Sequence, residues 1–235
     1  MKTVFIADGH LKGPDDPNSS ALIKFLDSLK QVKTLVVLGD LFDFWTGSNE
    51  VAKRNYKPVL DALLRLKQRG VQIIYLEGNH DFSMGRYFTD TLKALVHADS
   101  LELSIYGKRL YLSHGDTISM TFGYRLWRAY LRSPLFKVMA WIARPKTVWN
   151  IAIGLSNKSR ERAYVNKGTR TEARLREFAK GKIAEGFDCA VLAHSHLPGV
   201  YKEGKGVYAN PGSWAGNMSY LVYDNGAFKV ERWRG

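Results

Sequence analysis

Five short apolar runs rich in β-branched residues each stop at a polar cluster, and this repeated ending constrains the fold more than any other feature of the chain. Residues 3–7 run into Asp8-Gly-His10, 35–38 into Gly39-Asp40, and 71–76 into Gly78-Asn79-His80-Asp81. Residues 109–113 run into His114-Gly-Asp116, and 190–193 into His194-Ser-His196. Helical spacing of apolar residues fills 20–29 and 59–66, with Gly70 as a stop signal. Strand, helix, strand, helix, strand with short connections predicts βαβ units and a mixed sheet with a parallel core. In such sheets ligands bind beyond the carboxyl ends of the strands, where the clusters lie. Residues 199–202, 206–209, 219–223 and 228–231 read as short strands joined by Gly-containing turns, which suggests an antiparallel edge or a second sheet. A further cluster, Asn210-Pro-Gly212, closes one of these strands.

Five of the six histidines fall inside the clusters, so imidazole is concentrated in one place. Carboxylate, carboxamide and imidazole together are the ligand set of a first-row divalent metal, and the seven candidates exceed what one ion needs. Two metals sharing a bridging carboxylate is the economical reading, an arrangement suited to phosphate ester hydrolysis. Taken singly each cluster has a plainer meaning: a strand-end Asp caps helices, a lone His is a hydrogen-bonded core residue, and Asn-Pro-Gly is a turn. Cys189 sits in an apolar run and reads as a buried strand residue.

A chain of 235 residues is long enough for one large domain, or one domain with an insertion. Its formal net charge of +13 is unevenly placed. Residues 117–182 hold fifteen Lys/Arg against Glu161, Glu172 and Glu177, leaving nearly balanced charge elsewhere. This stretch also changes to helical patterning, with Phe122, Leu126, Trp127, Leu131, Phe136 and Trp141 among Arg125, Arg128 and Arg132. Pro134 and Pro145 break it into pieces too short to span a membrane. It reads as a helical insertion over the site.

In order and spacing, Asp-x-His, Gly-Asp, Gly-Asn-His-Asp, His-Gly and His-x-His resemble the calcineurin-like metallophosphoesterase family. The resemblance implies an α/β fold, a four-layer α/β/β/α sandwich carrying the helical cap at 117–182 within a single domain, 1–235. It assigns Asp8, His10, Asp40 and His196 to one metal, and Asp40, Asn79, His114 and His194 to the other; Asp8 and His10 are i and i+2 at a strand end and can point to the same side by alternation, as can His194 and His196. His80 would then protonate a leaving group or stabilise the transition state, with Asp81 fixing its tautomer and Asp116 orienting His114. The donor set suits Mn²⁺ first, with Fe²⁺ or Zn²⁺ as alternatives.

Gly39-Asp-Leu-Phe-Asp-Phe-Trp45, Gly78-Asn-His-Asp-Phe82 and the long insertion are similar to the branch of that family that splits the pyrophosphate of a UDP-linked diacylglucosamine in lipid A synthesis. The implied partners are a lipid-linked nucleotide and an anionic membrane surface, which places the protein peripherally on the cytoplasmic face of the inner membrane. Asn157, Lys158, Arg160, Arg162 and Lys167 would line the substrate side. His80 stands where many members of that branch have Arg, and it suits a leaving group that needs a proton. A soluble phosphodiesterase or phosphatase acting on nucleotides is the second reading. A nucleic-acid-binding protein or nuclease is the third, disfavoured because the cap aromatics follow a helical face rather than an exposed groove. Oligomeric state is not legible from the residues.

Overall fold

The computed structural model describes residues 2–47, 50–120, 122–133, 135, 136, 138 and 167–235. In chain order its elements are β1 (Lys2–Ile6), α1 (Pro17–Ser28), β2 (Val32–Leu38), β3 (Trp45–Thr46), α2 (Glu50–Asn55), α3 (Lys57–Gln68), β4 (Gln72–Leu76), β5 (Asp81–Phe82) and β6 (Leu95–His97). They continue with β7 (Ser100–Ile105), β8 (Lys108–Ser113), α4 (Phe122–Arg132), α5 (Lys167–Ala184), β9 (Cys189–Leu192), β10 (Gly199–Glu203) and β11 (Gly206–Asn210). A short α6 (Trp214–Asn217) and the hairpin β12 (Ser219–Asp224) and β13 (Ala227–Arg232) complete the described chain.

Two main sheets result among the described residues, ordered β13-β12-β1-β2-β4-β6 and β10-β11-β9-β8-β7, beside the two-stranded pair β3-β5. Strands β1, β2, β4 and β6 are parallel, as the βαβ reading predicts, and so are β8, β9 and β11. The C-terminal strands divide between the two expected alternatives. β10 and β11 extend the second sheet, whereas β12 and β13 return to form the antiparallel edge of the first.

Strand alternation builds the layers. Val4, Ile6, Leu35, Val37, Ile73 and Tyr75 face outward onto Leu22, Phe25, Leu26, Leu60 and Leu63 of α1 and α3. Their neighbours Phe5, Val36, Leu38, Ile74 and Leu76 face inward and meet Leu110, Leu112, Cys189 and Val191 of the second sheet. On that sheet's far side Ala190, Leu192 and Tyr208 pack against Leu175 and Ala179 of α5. The order is therefore helices, sheet, sheet, helix. Helix α1 starts before its apolar spacing does because Asp16 accepts from Asn18 N at 3.0 Å and Pro17 occupies the first turn.

Two expectations for residues 117–182 change here. Helix α5, counted with the cap, is a layer of the sandwich body. Helix α4 is turned opposite to a packed amphipathic helix: its apolar residues Phe122, Leu126 and Trp127 are 75%, 57% and 49% exposed. Arg128 and Arg132 point inward instead. Arg128 lies 2.6 Å from Asp99 Oδ1 and 3.4 Å from Asp116, and Arg132 lies 2.9 Å from Glu77. On α5, Arg176 pairs with Glu203 at 2.6 Å. Part of the insertion's basic excess therefore neutralises acids of the body. Trp127 and Phe122 also stand exposed beside the exposed Arg125, so the sequence argument that no aromatic here is presented to solvent does not hold.

Candidate metal centre

Asp8 and His10 were expected to share one side of a strand by alternation, but β1 ends at Ile6 and both residues lie in the loop beyond it. What brings them together is backbone conformation. Asp8, His10, Asp40, His194 and His196 have φ of +50°, +40°, +53°, +68° and +64°, a left-handed region rare for residues with a Cβ. Each such residue costs roughly 1–2 kcal/mol, and strain of this kind gathers where a fold aims side chains at one point. Gly39, with φ +81°, allows the turn after β2 to close, because a Cβ there would lie 2.8 Å from Gly78 Cα and from His114 Nδ1. A Cβ on Gly78 would run into the Asp40 carboxylate.

The side chains converge in two groups. In one, ligand-capable atoms of Asp8, His10 and His196 lie within 4.8 Å of one another. In the other, those of Asp40, His114 and His194 do. Asp40 belongs to both neighbourhoods, since it also groups with His10 and His80. His114 Nε2 has three atoms around it: Asp40 Oδ2 at 3.3 Å, Asn79 Oδ1 at 3.3 Å and His194 Nδ1 at 3.2 Å. All three can offer lone pairs, and their convergence on a fourth suits a cation. In the first group Asp8 Oδ1 and His10 Nδ1 are buried without a hydrogen-bond partner among the described residues, although His196 Nε2 is 3.3 Å from that oxygen. Orphaned buried acceptors of these types fit a pair of divalent ions.

Ring orientation is set by carbonyls. His114 Nδ1 is 2.7 Å from Leu38 O, and a carbonyl can only accept, so Nδ1 carries a proton and Nε2 is the nitrogen left to bind a metal. The same logic fixes His80, whose Nδ1 donates to Asp43 O at 3.1 Å and leaves Nε2 free. These contacts correct two expected roles. Asp81 does not hold His80: its carboxylate accepts from the amides of Asp40 (2.9 Å), Leu41 (2.7 Å), Phe42 (3.3 Å) and Gly78 (3.0 Å) and from Tyr75 O–H (2.5 Å). It is the knot joining the Asp40 loop to the Asn79 loop. Asp116 does not orient His114, and instead meets Arg128 and accepts from Tyr124 O–H at 3.3 Å.

Charge is tuned by the same crowding. Burial draws His10 down to about 4, against the pull of Asp40 and Asp8. Burial, reinforced by His114, brings His194 to about 4. His114 is opposite: burial would lower it, but Asp40 and Asp8 outweigh that and hold it well above the usual imidazole range. His196 is raised by Asp8 in spite of burial. Burial opposes ionisation of Asp40 and Asp8, yet the surrounding imidazoles keep both below the ordinary carboxylate range. Burial and the neighbouring Asp40 push Asp81 up to about 7. The thiol of Cys189 is pushed up to about 11 by burial, in keeping with a structural strand residue.

Sequence reasoning did not find the supporting shell. Ser213 Oγ donates to Asp8 O at 2.9 Å and Ala215 N to the same oxygen at 3.1 Å, so the segment after Asn210-Pro-Gly212 positions the first ligand. The only signal was that cluster itself. Glu77, Arg128, Arg132 and Glu172 carried none. Asn157, Lys158, Arg160 and Arg162 lie outside the described residues, and Lys167 is described only as the first residue of α5.

A model of the calcineurin-like phosphoesterase family matches residues 1–198. The UDP-2,3-diacylglucosamine hydrolase of Aeromonas salmonicida is 31% identical over 83% of this chain and 77% of its own length. The protein of that name from Histophilus somni (strain 129Pt) is 26% identical over 97% of this chain and 98% of its own. The solved structure of an archaeal phosphodiesterase is similar in fold, with a TM-score of 0.52 at 14% identity over 98% of this chain and 99% of that one.

Proposed function

This chain belongs to the calcineurin-like phosphoesterase family, and on that premise we propose that it is a metal-dependent hydrolase that splits the pyrophosphate of UDP-2,3-diacylglucosamine into UMP and 2,3-diacylglucosamine 1-phosphate. The observation that carries the reading is the convergence of Asp8, His10, Asp40, Asn79, His114, His194 and His196, drawn from five loops, on two adjoining points. Asp8, His10, Asp40 and His196 would hold one ion, and Asp40, Asn79, His114 and His194 the other, with Mn²⁺ the best match to the donors. When bound, two such ions supply Lewis-acid activation of a water and of the phosphoryl group.

The remaining work falls to the chain. Leu38 O and Asp43 O set the tautomers of His114 and His80. With Nδ1 bound to Asp43 O, Nε2 is the nitrogen through which a protonated His80 ring would pass a proton to the departing phosphate oxygen. Asp81 keeps the loops of Asp40 and Asn79 in register through its four amide donors. The exposed apolar residues Phe122, Leu126 and Trp127, with Leu135 and Val138 at 61% and 53%, offer a surface for acyl chains or for the bilayer that supplies them. No helix among the described residues is long and apolar enough to cross a membrane, so contact with the bilayer would be peripheral. Nucleic acid is a poorer partner for this surface, because Arg128, Arg132 and Arg176 are engaged by body carboxylates.

The test is hydrolysis of UDP-2,3-diacylglucosamine by the full chain with and without Mn²⁺, beside its deacylated counterpart. Release of UMP from the acylated compound alone, lost on chelation, is the expected result. Equal rates on both compounds would remove lipid recognition and leave a nucleotide phosphodiesterase.

A further inference from the structure

Between two candidate ligands sits one buried hydroxyl, gripped from outside the loop. Ser195 Oγ donates to Glu172 Oε2 at 2.6 Å, and accepts from Asn210 Nδ2 at 2.9 Å and from Leu197 N at 3.3 Å. The hydroxyl has one proton, and it goes to Glu172. The same carboxylate oxygen takes Tyr208 O–H at 3.0 Å, and Asn210 Nδ2, which also reaches Tyr208 Oη at 3.1 Å, lies 3.3 Å from it. All four side chains are buried, and Glu172 Oε1, buried as well, makes no hydrogen bond among the described residues.

The loop has reason to need such a grip. His194 and His196, on either side of Ser195, both have left-handed backbone, which side-chain-bearing residues do not keep by local preference. A carboxylate is also a poor choice for merely docking α5, since Leu175 and Ala179 already bury that face. A buried carboxyl group is costly unless its hydrogen bonds are satisfied, so its presence points to what it holds in place.

We propose that Glu172 is a positioning residue for the metal centre: through Ser195 it fixes the imidazoles of His194 and His196 in the orientation that binds cations, and so ties metal affinity to the seating of α5. This rests on the reading of those two histidines as metal ligands. Asn210 is the third member of the grip. Its Oδ1 accepts from Gly212 N at 2.9 Å while its amide reaches Ser195, and this gives the Asn-Pro-Gly cluster a function beyond a turn. Residues that orient a ligand from behind typically set metal affinity by about 10–100-fold.

The experiment is calorimetric titration of the metal-stripped full chain with Mn²⁺, with thermal unfolding recorded for every variant. Wild type should bind two ions; if it binds none, the metal-centre reading itself is wrong and the proposal goes with it. Given wild-type binding, Glu172→Ala and Ser195→Ala should each weaken Mn²⁺ by about 10–100-fold. Ser195→Thr, which keeps the hydroxyl, should stay close to wild type. If Glu172→Ala does not fold, Ser195→Ala decides, because it removes one oxygen. Folded Glu172→Ala and Ser195→Ala proteins that bind Mn²⁺ as tightly as wild type overturn the proposal, even with lowered melting temperatures, since a purely structural contact would give that result.

Discussion

Arg132 Nη1 lies 2.9 Å from Glu77 Oε2, and the same guanidinium donates through Nη2 to Gly78 O at 3.3 Å, one residue before the candidate ligand Asn79. The outermost helix of the described chain is thus fastened to a metal loop by charge, while its apolar residues are left outside. Glu77 is buried and the arginine largely so. Arg132→Ala should therefore lower stability by about 2 kcal/mol, less than a fully buried pair loses when one partner is removed. In a chain of this size that corresponds to a fall of roughly 4–8 °C in Tm. A melting curve that overlays wild type would show the pair to be a solvated surface contact. Arg125→Ala, on the exposed side, should leave Tm unchanged.

His80 and Asp81 are adjacent but should fail in different ways. His80→Ala should bind metal normally, melt near wild type and hydrolyse about 10²–10⁴-fold more slowly. Asp81→Ala strands the amides of Asp40, Leu41 and Phe42 and a tyrosine hydroxyl in the interior and should cost about 3 kcal/mol or more. Comparing unfolding and metal content of the two variants separates the roles. A stable Asp81→Ala protein that is merely slow would return Asp81 to the catalytic set.

Asp40→Ala removes the carboxylate common to both groups. Activity should drop by several orders of magnitude, and metal content measured after gel filtration should fall below two ions per chain. Near-normal turnover in this variant is incompatible with a shared carboxylate.

Metal uptake should release protons in a number set by the four histidines. His10 and His194, drawn down to about 4, are already neutral at pH 7 and have none to give. His114 and His196, raised by the neighbouring carboxylates in the metal-free protein, are the two with protons to give up on binding. Roughly one to two protons should therefore appear per chain at pH 7, rather than four. Metal affinity should fall as pH is lowered through the raised values. Titration in buffers of different ionisation enthalpy measures the count directly, and zero release would mean that His114 is neutral before metal arrives.

The parallel strands, their intervening helices and the metal-facing clusters were legible because each rests on a short-range rule. Apolar runs mark strands buried on both faces, and a polar break marks where the strand leaves the core. What could not be read depends on which loops meet. Nothing in Glu77, Glu172 or Arg132 distinguishes them from solvated surface charges: Glu77 and Arg132 meet across 55 positions, and Glu172 meets Ser195 across 23. The expected link from Asp81 to His80 failed for a similar reason: nearness in sequence suggested contact, yet the carboxylate turned toward amides forty residues earlier. Alternation along a strand was the wrong account of Asp8 and His10, because the strand had already ended.

Asp8 receives His194 N through Oδ2 and Ser213 Oγ through its carbonyl, partners 186 and 205 positions later in the chain. The first ligand synthesised therefore has no fixed orientation until nearly the last of the chain has joined it. During synthesis the ordering of this loop must wait for the segment through residue 215 to leave the ribosome, and long-range closure of this kind is slow. Cation capture would then act as a late report that both sheets have docked, and a nascent chain stopped just before residue 213 would carry all seven candidate ligands without the site.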